Sequence, residues 1–342
     1  MTVQGVPLFS IVVPAYNVKA YVPMCLNSLR HQTFNDWEVI CVDDGSTDGT
    51  GLLLDEIARE DKRFHIIHQV NRGVGFARNV ALQRCCGRYI VFVDADDTLS
   101  SNALEFLKSL IDEHKADIIG YAHEEVATQI VISCDISKAS IHCIHLEEPR
   151  GLLEGATLAL GRFISWNCCV RADIIKGISF PLIPNGEDIV WGVKCFLRAK
   201  TMVMTDAKLY NYLCRDGSAV RTPSLRHITS SLESLSMIVA CLCKDSRFPI
   251  MRRLVKRRAL GMLLNYIVEK ASDITGTDRR LAFSEILDTG YHLFANGTLS
   301  GTYLESMYFK VVFSSYSLFM SSLLMPYRAI ECLRSCFRRK GS

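Results

Sequence analysis

Short β-branched runs alternate with helical segments along the first 125 residues, and this alternation limits the possible folds more than any other feature. The predicted strands lie at residues 9–13, 37–42, 64–68 and 89–93. Helical stretches are predicted between them, at residues 20–31, 52–59 and 75–84. Strands separated by helices of this length form right-handed crossovers. The pattern therefore predicts an α/β fold with a doubly wound, mostly parallel sheet and helices on both of its faces.

The composition is that of a folded protein with reduced cysteines. Of its 342 residues, 49% are hydrophobic and 22% charged, which excludes intrinsic disorder. Its 14 cysteines are too few for a disulfide scaffold, and with the nine histidines they show no zinc-ligand spacing. The first apolar run stops at Pro14 and follows no basic segment. We therefore expect no secretory signal peptide and a cytoplasmic location.

Charge is divided unevenly along the chain. Residues 1–220 carry a net charge of −6, whereas residues 221–342 carry +9. The acidic part indicates a cation site, and the basic part is typical of a protein that meets an anionic surface such as lipid headgroups. Residues 252–258 are basic but lack the interleaved aromatic residues of a base-stacking surface. We therefore expect no nucleic-acid partner.

Polar clusters follow three of the predicted strands. They are Pro14-Ala-Tyr-Asn17, Asp43-Asp-Gly-Ser-Thr-Asp48 and Asp94-Ala-Asp-Asp97. Because the carboxyl ends of parallel strands meet at one edge of a sheet, we expect these side chains to line one crevice. Ser46, Thr47 and Asp48 are equally well explained as turn formers and helix caps. So many carboxylates would repel one another without a cation, and Asp-x-Asp suits Mg²⁺ or Mn²⁺ that also binds phosphate oxygens.

A glycine-containing stretch, Asn71-Arg-Gly-Val-Gly-Phe-Ala-Arg-Asn79, lies between the third and fourth predicted strands. Free backbone N–H groups and the Arg78 guanidinium would suit a phosphate. The stretch is neither a dinucleotide fingerprint, which would follow the first strand, nor a P-loop, which would end in Gly-Lys-Ser or Gly-Lys-Thr. The alternative is a turn that glycine permits, with Arg78 in solvent.

In this order and spacing, the four motifs resemble those of the family-two inverting glycosyltransferases of the GT-A (Rossmann-like) fold. The resemblance covers about residues 8–220 and rests on residues 12–17, 42–48, 71–79 and 92–97. Trp166-Asn167, Gly186-Glu-Asp188 and Tyr210-Asn-Tyr-Leu-Cys-Arg-Asp-Gly-Ser218 resemble acceptor-side motifs of bacterial members that assemble polysaccharides. The chain departs from the usual pattern at Cys168-Cys169-Val170, which bears on the identity of the acceptor.

The resemblance implies a role for each matching residue. Those implied to bind the nucleotide sugar are Pro14, Tyr16, Asn17, Asp43, Asp44, Ser46, Gly73, Arg78, Asn79, Asp94 and Asp96. The implied ligands of Mn²⁺ or Mg²⁺ are Asp96, Asp94 and Asp97, and the implied acceptor-side residues are Trp166, Asn167, Arg215 and Ser218. The resemblance favours a UDP-linked donor. The Gln-x-x-Arg-Trp signature of processive synthases is absent from the sequence, so we expect a single transfer for each binding event.

The chemistry requires a carboxylate that takes a proton from the acceptor hydroxyl, and Asp188 is the candidate, with Glu187 beside it. Pro184-Asn-Gly-Glu-Asp188 is a predicted turn before a helix, so both acids fall in its first turn. Their alternative role is that of ordinary N-terminal helix acids. We predict a metal-assisted, inverting hexosyl- or N-acetylhexosaminyl-transferase. A sugar nucleotidyltransferase and a catalytically silent sugar-nucleotide-binding protein are the alternatives.

We predict three regions along the chain. They are a nucleotide-sugar-binding half at 1–125, an acceptor-binding half at 126–220 and a basic, helical C-terminal subdomain at 221–342. Residues 311–325 are uncharged but too few to span a bilayer. After Pro326, apolar positions and arginines alternate with the spacing of an amphipathic helix. We expect peripheral binding at the inner face of the membrane, close to a lipid-linked saccharide acceptor; the alternative is that this helix packs on the protein itself.

Overall fold

The computed structural model describes residues 5–131, 133–160, 164–214, 224–263 and 276–295, together with residues 274 and 299. Contacts within the chain define two units. The first comprises residues 1–222 and 244–255, and the second comprises residues 223–243 and 256–342. The predicted division of the first unit at residue 125 stays a prediction.

The first four strands and three helices alternate as the sequence predicts. They are β1 (Phe9–Ala15), α1 (Val22–Arg30), β2 (Trp37–Asp43), α2 (Thr50–Glu60), β3 (Phe64–His68), α3 (Val74–Leu82) and β4 (Tyr89–Phe92). All four strands are parallel, in the order β3-β2-β1-β4. β1 and β4 are almost wholly buried, which explains why both appear in the sequence as continuous apolar runs.

The remaining strands extend the same sheet. This part contains β5 (Thr98–Leu99), α4 (Ala103–His114), β6 (Ile118–Val126), β7 (Ile141–His145), α5 (Pro149–Ala159), β8 (Cys168–Arg171), α6 (Ala172–Ile175), α7 (Glu187–Arg198) and β9 (Thr201–Leu213). β8 is antiparallel to β4 and β6, and β9 is parallel to β6 but antiparallel to β5 and β7. The predicted α/β class is therefore confirmed, with the parallel arrangement of β1 to β4 followed by a mixed second part.

The order of the strands opens a crevice at the carboxyl edge of the sheet. β2 and β4 lie on opposite sides of β1, so the loops that follow β1 and β4 diverge. An aromatic cluster packs α7 against this part of the sheet: Phe180 and Trp191 are stacked with ring centroids 4.9 Å apart, and Phe92 meets Trp191 edge-on at 5.1 Å. The beginning of α7 is thereby fixed relative to the end of β4.

Helices make up the described part of the second unit. α8 (Leu225–Cys243) buries one face that includes Leu232, Leu235 and Leu242, and it contacts α10 (Gly276–Gly290). α9 (Phe248–Gly261) contributes residues to both units. Within the described ranges, we find no helix with the length and apolar character needed to cross a bilayer. The predicted amphipathic segment and residues 311–325 lie outside the described residues.

Candidate active site

Hydrogen bonds tie the loop after β1 to the loop after β2. Asn17, in the left-handed region with φ of 50°, donates its backbone N–H to Ser46 Oγ at 3.0 Å. Its Oδ1 accepts the Thr47 N–H at 2.8 Å, and Asp43 Oδ1 accepts the Ser46 N–H at 3.0 Å. The Tyr16 side chain next to this junction is 50% exposed. Three of these predicted donor-binding residues therefore shape the loops, and Tyr16 presents its ring to the solvent.

Asp44 holds the loop that follows β3. Its Oδ1 accepts hydrogen bonds from Gln69 Nε2 at 2.6 Å and from the Arg72 N–H at 2.9 Å. Its Oδ2 accepts the N–H of Gly73 at 2.8 Å, and Gly73 has φ of 89°. The Gly73 N–H group that would suit a phosphate thus donates to Asp44 instead. Contact of Asp44 or Gly73 with a nucleotide stays a prediction.

Arg78 is buried, so the alternative of a solvated guanidinium is wrong. Its Nη1 donates to Glu187 Oε1 at 2.7 Å and its Nη2 donates to Asp94 Oδ1 at 3.0 Å. Its Nε is buried and has no hydrogen-bond partner among the described residues. Burial lowers the pKa of Arg78, but the charges of Asp94 and Glu187 outweigh burial and raise it overall. One cation therefore joins α3, the end of β4 and the start of α7.

Glu187 and Asp188 lie in the first turn of α7, after Gly186 with φ of 80°. The Glu187 side chain is buried, and burial raises its pKa to about 7 although the Arg78 charge opposes that shift. Asp188 is half-buried, and its Oδ1 accepts the N–H of Ile189 at 2.8 Å. Burial also raises the pKa of Asp188, with Arg78 opposing and Asp94 adding to the shift. The two acids therefore have different surroundings: Glu187 is buried and paired with Arg78, whereas Asp188 is more exposed.

The three aspartates after β4 differ in burial. Asp97 is buried, and its oxygens accept the Tyr210 hydroxyl and the Leu213 N–H, both at 2.7 Å. Burial, with Asp94 nearby, raises the pKa of Asp97 to about 8. Asp94 and Asp96 are both half-buried. Asp97 therefore anchors β9, and Asp94 and Asp96 are the acids that remain at the edge of the crevice.

Basic side chains of the protein lie next to several of the carboxylates at this edge of the sheet. Arg78 is paired with Asp94 and Glu187, and His68 Nδ1 lies 2.9 Å from Asp43 Oδ2. Across the described residues, no group of three or more His, Cys, Asp and Glu side chains is arranged to hold a metal. Carboxylates such as those of Asp94 and Asp96, however, are suitable ligands for Mg²⁺ or Mn²⁺ when water and substrate phosphate oxygens supply the other ligands.

His68 is a residue that the sequence reasoning missed. Its Nδ1 faces Asp43, and its Nε2 lies 3.0 Å from Asp55 Oδ1 on α2. The signal that could have identified it is its position, because it ends β3 at the same edge as the acidic clusters. Metal-ligand spacing does not indicate His68, because both of its partners are carboxylates outside any metal motif.

Two of the remaining predicted residues have structural partners on the backbone. Both polar atoms of the Asn79 amide bind Phe180, with Nδ2 donating to its carbonyl oxygen at 2.9 Å and Oδ1 accepting its N–H at 2.8 Å. Asn167 Oδ1 accepts the Ile164 N–H at 3.0 Å and closes a short turn. Pro14 is half-buried within β1. The ligand contacts predicted for these residues stay predictions.

Trp166 lies in an aromatic cluster next to the aspartates. It stacks on Tyr210 and Tyr212, with centroid distances of 4.8 and 5.6 Å, and His123 meets it edge-on at 5.0 Å. Tyr210 connects this cluster to the acidic edge, because its hydroxyl also accepts the N–H of Asp94 at 3.1 Å. Trp166 is therefore close to the site, whereas the predicted acceptor-side residues Arg215 and Ser218 lie outside the described residues.

Known proteins resemble this chain in sequence and in fold. The family model described as Glycosyl transferase family 2 matches residues 10–130. The putative glycosyltransferase EpsH of Bacillus subtilis is 30% identical over 258 residues, which is 72% of each chain. The uncharacterized glycosyltransferase EpsJ of the same organism is 41% identical over 221 residues, 64% of each chain.

Among solved structures, S. aureus TarS 1–349 shares the fold. It superposes with a TM-score of 0.65 at 22% identity, over 82% of this chain and 80% of the TarS chain. The complex of that protein with UDP-GlcNAc superposes with a TM-score of 0.62 at 24% identity, over 82% of this chain and 81% of the TarS chain. The predicted GT-A architecture is confirmed by this agreement.

Arg78→Ala should destabilise the protein strongly, because it leaves the Asp94 and Glu187 carboxylates without their shared cation. We expect the free energy of unfolding to fall by about 3–5 kcal/mol in urea titrations. Arg30→Ala is the matched control, since its pair with Glu60 is exposed and should contribute no more than about 1 kcal/mol. Equal losses in the two variants would contradict the importance of the buried network.

Proposed function

Because the chain belongs to glycosyl transferase family 2, we propose that it moves a sugar from a UDP-linked donor to a saccharide hydroxyl with inversion at the anomeric carbon. The observation that carries this proposal is the position of Asp188, which follows Glu187 in the first turn of α7. Glu187 is joined through Arg78 to Asp94 at the end of β4. TarS has this fold and was solved with UDP-GlcNAc, which supports a UDP-linked hexose or N-acetylhexosamine as the donor.

In this proposal, Asp188 is the general base. Its carboxylate takes the proton from the acceptor hydroxyl while that oxygen forms a bond to the anomeric carbon and the bond to UDP breaks. Burial raises the pKa of Asp188, which makes it a stronger base, although the N-terminus of α7 favours the ionised form. Single displacement from the face opposite to UDP gives inversion. No sugar becomes attached to the enzyme in this scheme.

Glu187 and Arg78 position the base rather than react. Arg78 is held between Glu187 and Asp94, so the start of α7 is fixed relative to the aspartates after β4. Such fixed geometry lowers the barrier by keeping the acceptor oxygen and the anomeric carbon in line. Glu187 therefore contributes through Arg78, and the more exposed Asp188 is the acid that faces the acceptor.

Donor binding is assigned to the edge formed by the loops after β1, β2 and β4. The exposed ring of Tyr16 offers a surface for the base, next to the junction of Asn17 and Ser46. Asp94 and Asp96 would hold Mn²⁺ or Mg²⁺, which when bound supplies charge stabilisation for the departing diphosphate. Trp166 lies on the acceptor side in this arrangement, beyond Tyr210.

We place the acceptor at a membrane surface, as a lipid-linked saccharide in the assembly of a cell-surface polysaccharide. The support is the net charge of +9 on residues 221–342. Each Lys or Arg close to an anionic leaflet contributes about 1 kcal/mol of binding free energy, reduced by salt. Peripheral binding at the inner face of the membrane would keep the catalytic unit near such an acceptor.

Asp188→Asn should remove transfer and leave UDP binding nearly unchanged, because the amide keeps the shape of the side chain but takes up no proton. With a panel of UDP-sugars and saccharide acceptors, we expect turnover to fall about 10²–10⁴-fold. Asp173→Asn is the matched control, an exposed acid in the first turn of α6. In a parallel assay with UTP and a sugar 1-phosphate, release of pyrophosphate by the wild type would indicate a nucleotidyltransferase. Release of neither UDP in the first assay nor pyrophosphate in the second would indicate a silent binding protein.

Asp96→Asn should raise the Mn²⁺ concentration needed for half-maximal turnover by about tenfold or more, since a neutral amide is a weaker ligand for a hard cation. The measurement is UDP release across a Mn²⁺ titration, with the melting temperature recorded alongside. Asp36→Asn is the control for charge removal, because Asp36 is exposed and precedes β2, at the edge of the sheet opposite to the crevice. An unchanged Mn²⁺ dependence in Asp96→Asn would contradict the metal assignment.

Deletion of residues 326–342 should weaken binding to anionic vesicles, because it removes five of the basic residues of the chain together with the apolar face of the predicted helix. The measurement is flotation with phosphatidylglycerol vesicles, compared with phosphatidylcholine vesicles at low and high salt. UDP affinity should stay unchanged in the truncated protein. Equal flotation of both proteins, or of neither, would contradict the membrane proposal.

A further inference from the structure

His68 makes two charge-assisted contacts that the proposed mechanism does not use. It ends β3, and its ring nitrogens lie between Asp43 Oδ2 at 2.9 Å and Asp55 Oδ1 at 3.0 Å. Asp43 belongs to β2, Asp55 belongs to α2, and these acids are the charged groups that face His68. Only a protonated imidazole can donate a hydrogen bond to both acids at once. When it is protonated, the ring therefore acts as a cationic link between two elements.

The backbone of α2 approaches this link closely. A Cβ atom built on Gly51 would lie 2.7 Å from Asp43 Oδ2 and 3.3 Å from His68 Cε1. Any side chain at that position would displace the carboxylate or the ring. The side chain of Asp43 is 8% exposed, whereas that of His68 is 47% exposed. The partly exposed His68 ring thus contacts the buried Asp43 carboxylate from the side that faces the solvent.

Asp43 also contacts the loops of the crevice, so a restraint on its carboxylate affects these loops as well. While its Oδ2 faces His68, its Oδ1 accepts the N–H of Ser46 at 3.0 Å. Ser46 Oγ in turn accepts the N–H of Asn17 at 3.0 Å. His68 is therefore connected to Asn17 through Asp43 and Ser46. These contacts involve the loops after β1 and β2, next to Tyr16. Rotation of the Asp43 carboxylate would disturb the junction of the loops that follow β1 and β2.

We propose that His68 is a positioning residue for donor binding, which in its protonated form clamps Asp43 and Asp55 and fixes the loops that receive the nucleotide. The inference rests on the proposed function for the identity of the ligand. It adds a pH dependence: donor affinity falls as His68 loses its proton, because a neutral ring leaves one carboxylate facing a nitrogen lone pair. His68 itself does not take part in the chemistry of transfer.

The sign of the effect follows from the neighbours of the ring. Hydrogen bonds to Asp43 and Asp55 raise the pKa of His68 above its ordinary value of 6.5, and partial burial opposes them. A raised pKa in the folded state means that the clamp is complete below pH 6.5 and is lost as the pH rises through the raised value. Donor affinity should therefore change with pH mainly above 6.5, the ordinary pKa of histidine.

The first test measures UDP affinity in the presence of Mg²⁺ by calorimetry between about pH 6 and pH 8.5, the range in which histidine titrates. His68→Gln carries its two N–H donors on a single uncharged nitrogen and cannot reproduce the contacts that the two ring nitrogens make. We therefore expect about tenfold weaker binding near pH 6.5 and a flatter pH profile. Asp55→Asn should shift the fall in affinity to lower pH. His65→Gln is the matched control, because His65 is exposed on the same strand and lies 4.0 Å from Glu38.

All variants experience the same titration of UDP itself, so differences between them report the protein. If His68→Gln and His65→Gln bind UDP alike at every pH, the proposal is overturned. A second readout needs no nucleotide: hydrogen exchange of the peptide covering residues 43–50 should be faster in His68→Gln than in His65→Gln. If the wild type binds no UDP, the proposed donor is wrong, and equal exchange in the two variants still overturns the clamp.

Discussion

The Arg78 guanidinium is buried between Asp94 and Glu187, and the arrangement of the candidate active site depends on this contact. The two carboxylates come from the end of β4 and the start of α7, so the cation fixes both parts of the fold relative to one another. Without it, the buried Glu187 carboxylate would be a charge with no partner. The Asn79 amide, one residue along the same helix, adds a second link from α3 to the segment before α7.

Local periodicity was sufficient to predict the first part of the sheet. The predicted strand at 64–68 agrees with β3, and the other early elements differ by a few residues at their ends. The antiparallel pairing of β8 with β4 and β6 was not predicted, because pairing between strands that are far apart in sequence depends on the tertiary fold. The mixed character of the second part of the sheet follows from those pairings.

The sequence identified the polar residues of the site but not the direction of each side chain. Asp97 and Asn79 bind backbone groups, and Asp44 holds a loop, although all three belong to motifs associated with ligand binding. Spacing defines which strand end a residue follows, whereas the partner of a carboxylate depends on donors brought close by folding. His68 shows the same limit, since its role rests on Asp43 and on Asp55 from a different element.

The contacts of α3 have a consequence for the order of events during synthesis. Arg78 and Asn79 bind groups 109 and 101 residues later in the chain, at Glu187 and Phe180. A nascent chain that has completed β1 to β4 therefore holds this arginine without one of its two acids until α7 has left the ribosome. Tyr210, which contacts Asp94 and Asp97, lies still later in the chain, on β9. The contacts of the crevice therefore cannot be complete until both α7 and β9 have been synthesised, which agrees with the folding of a domain as one unit.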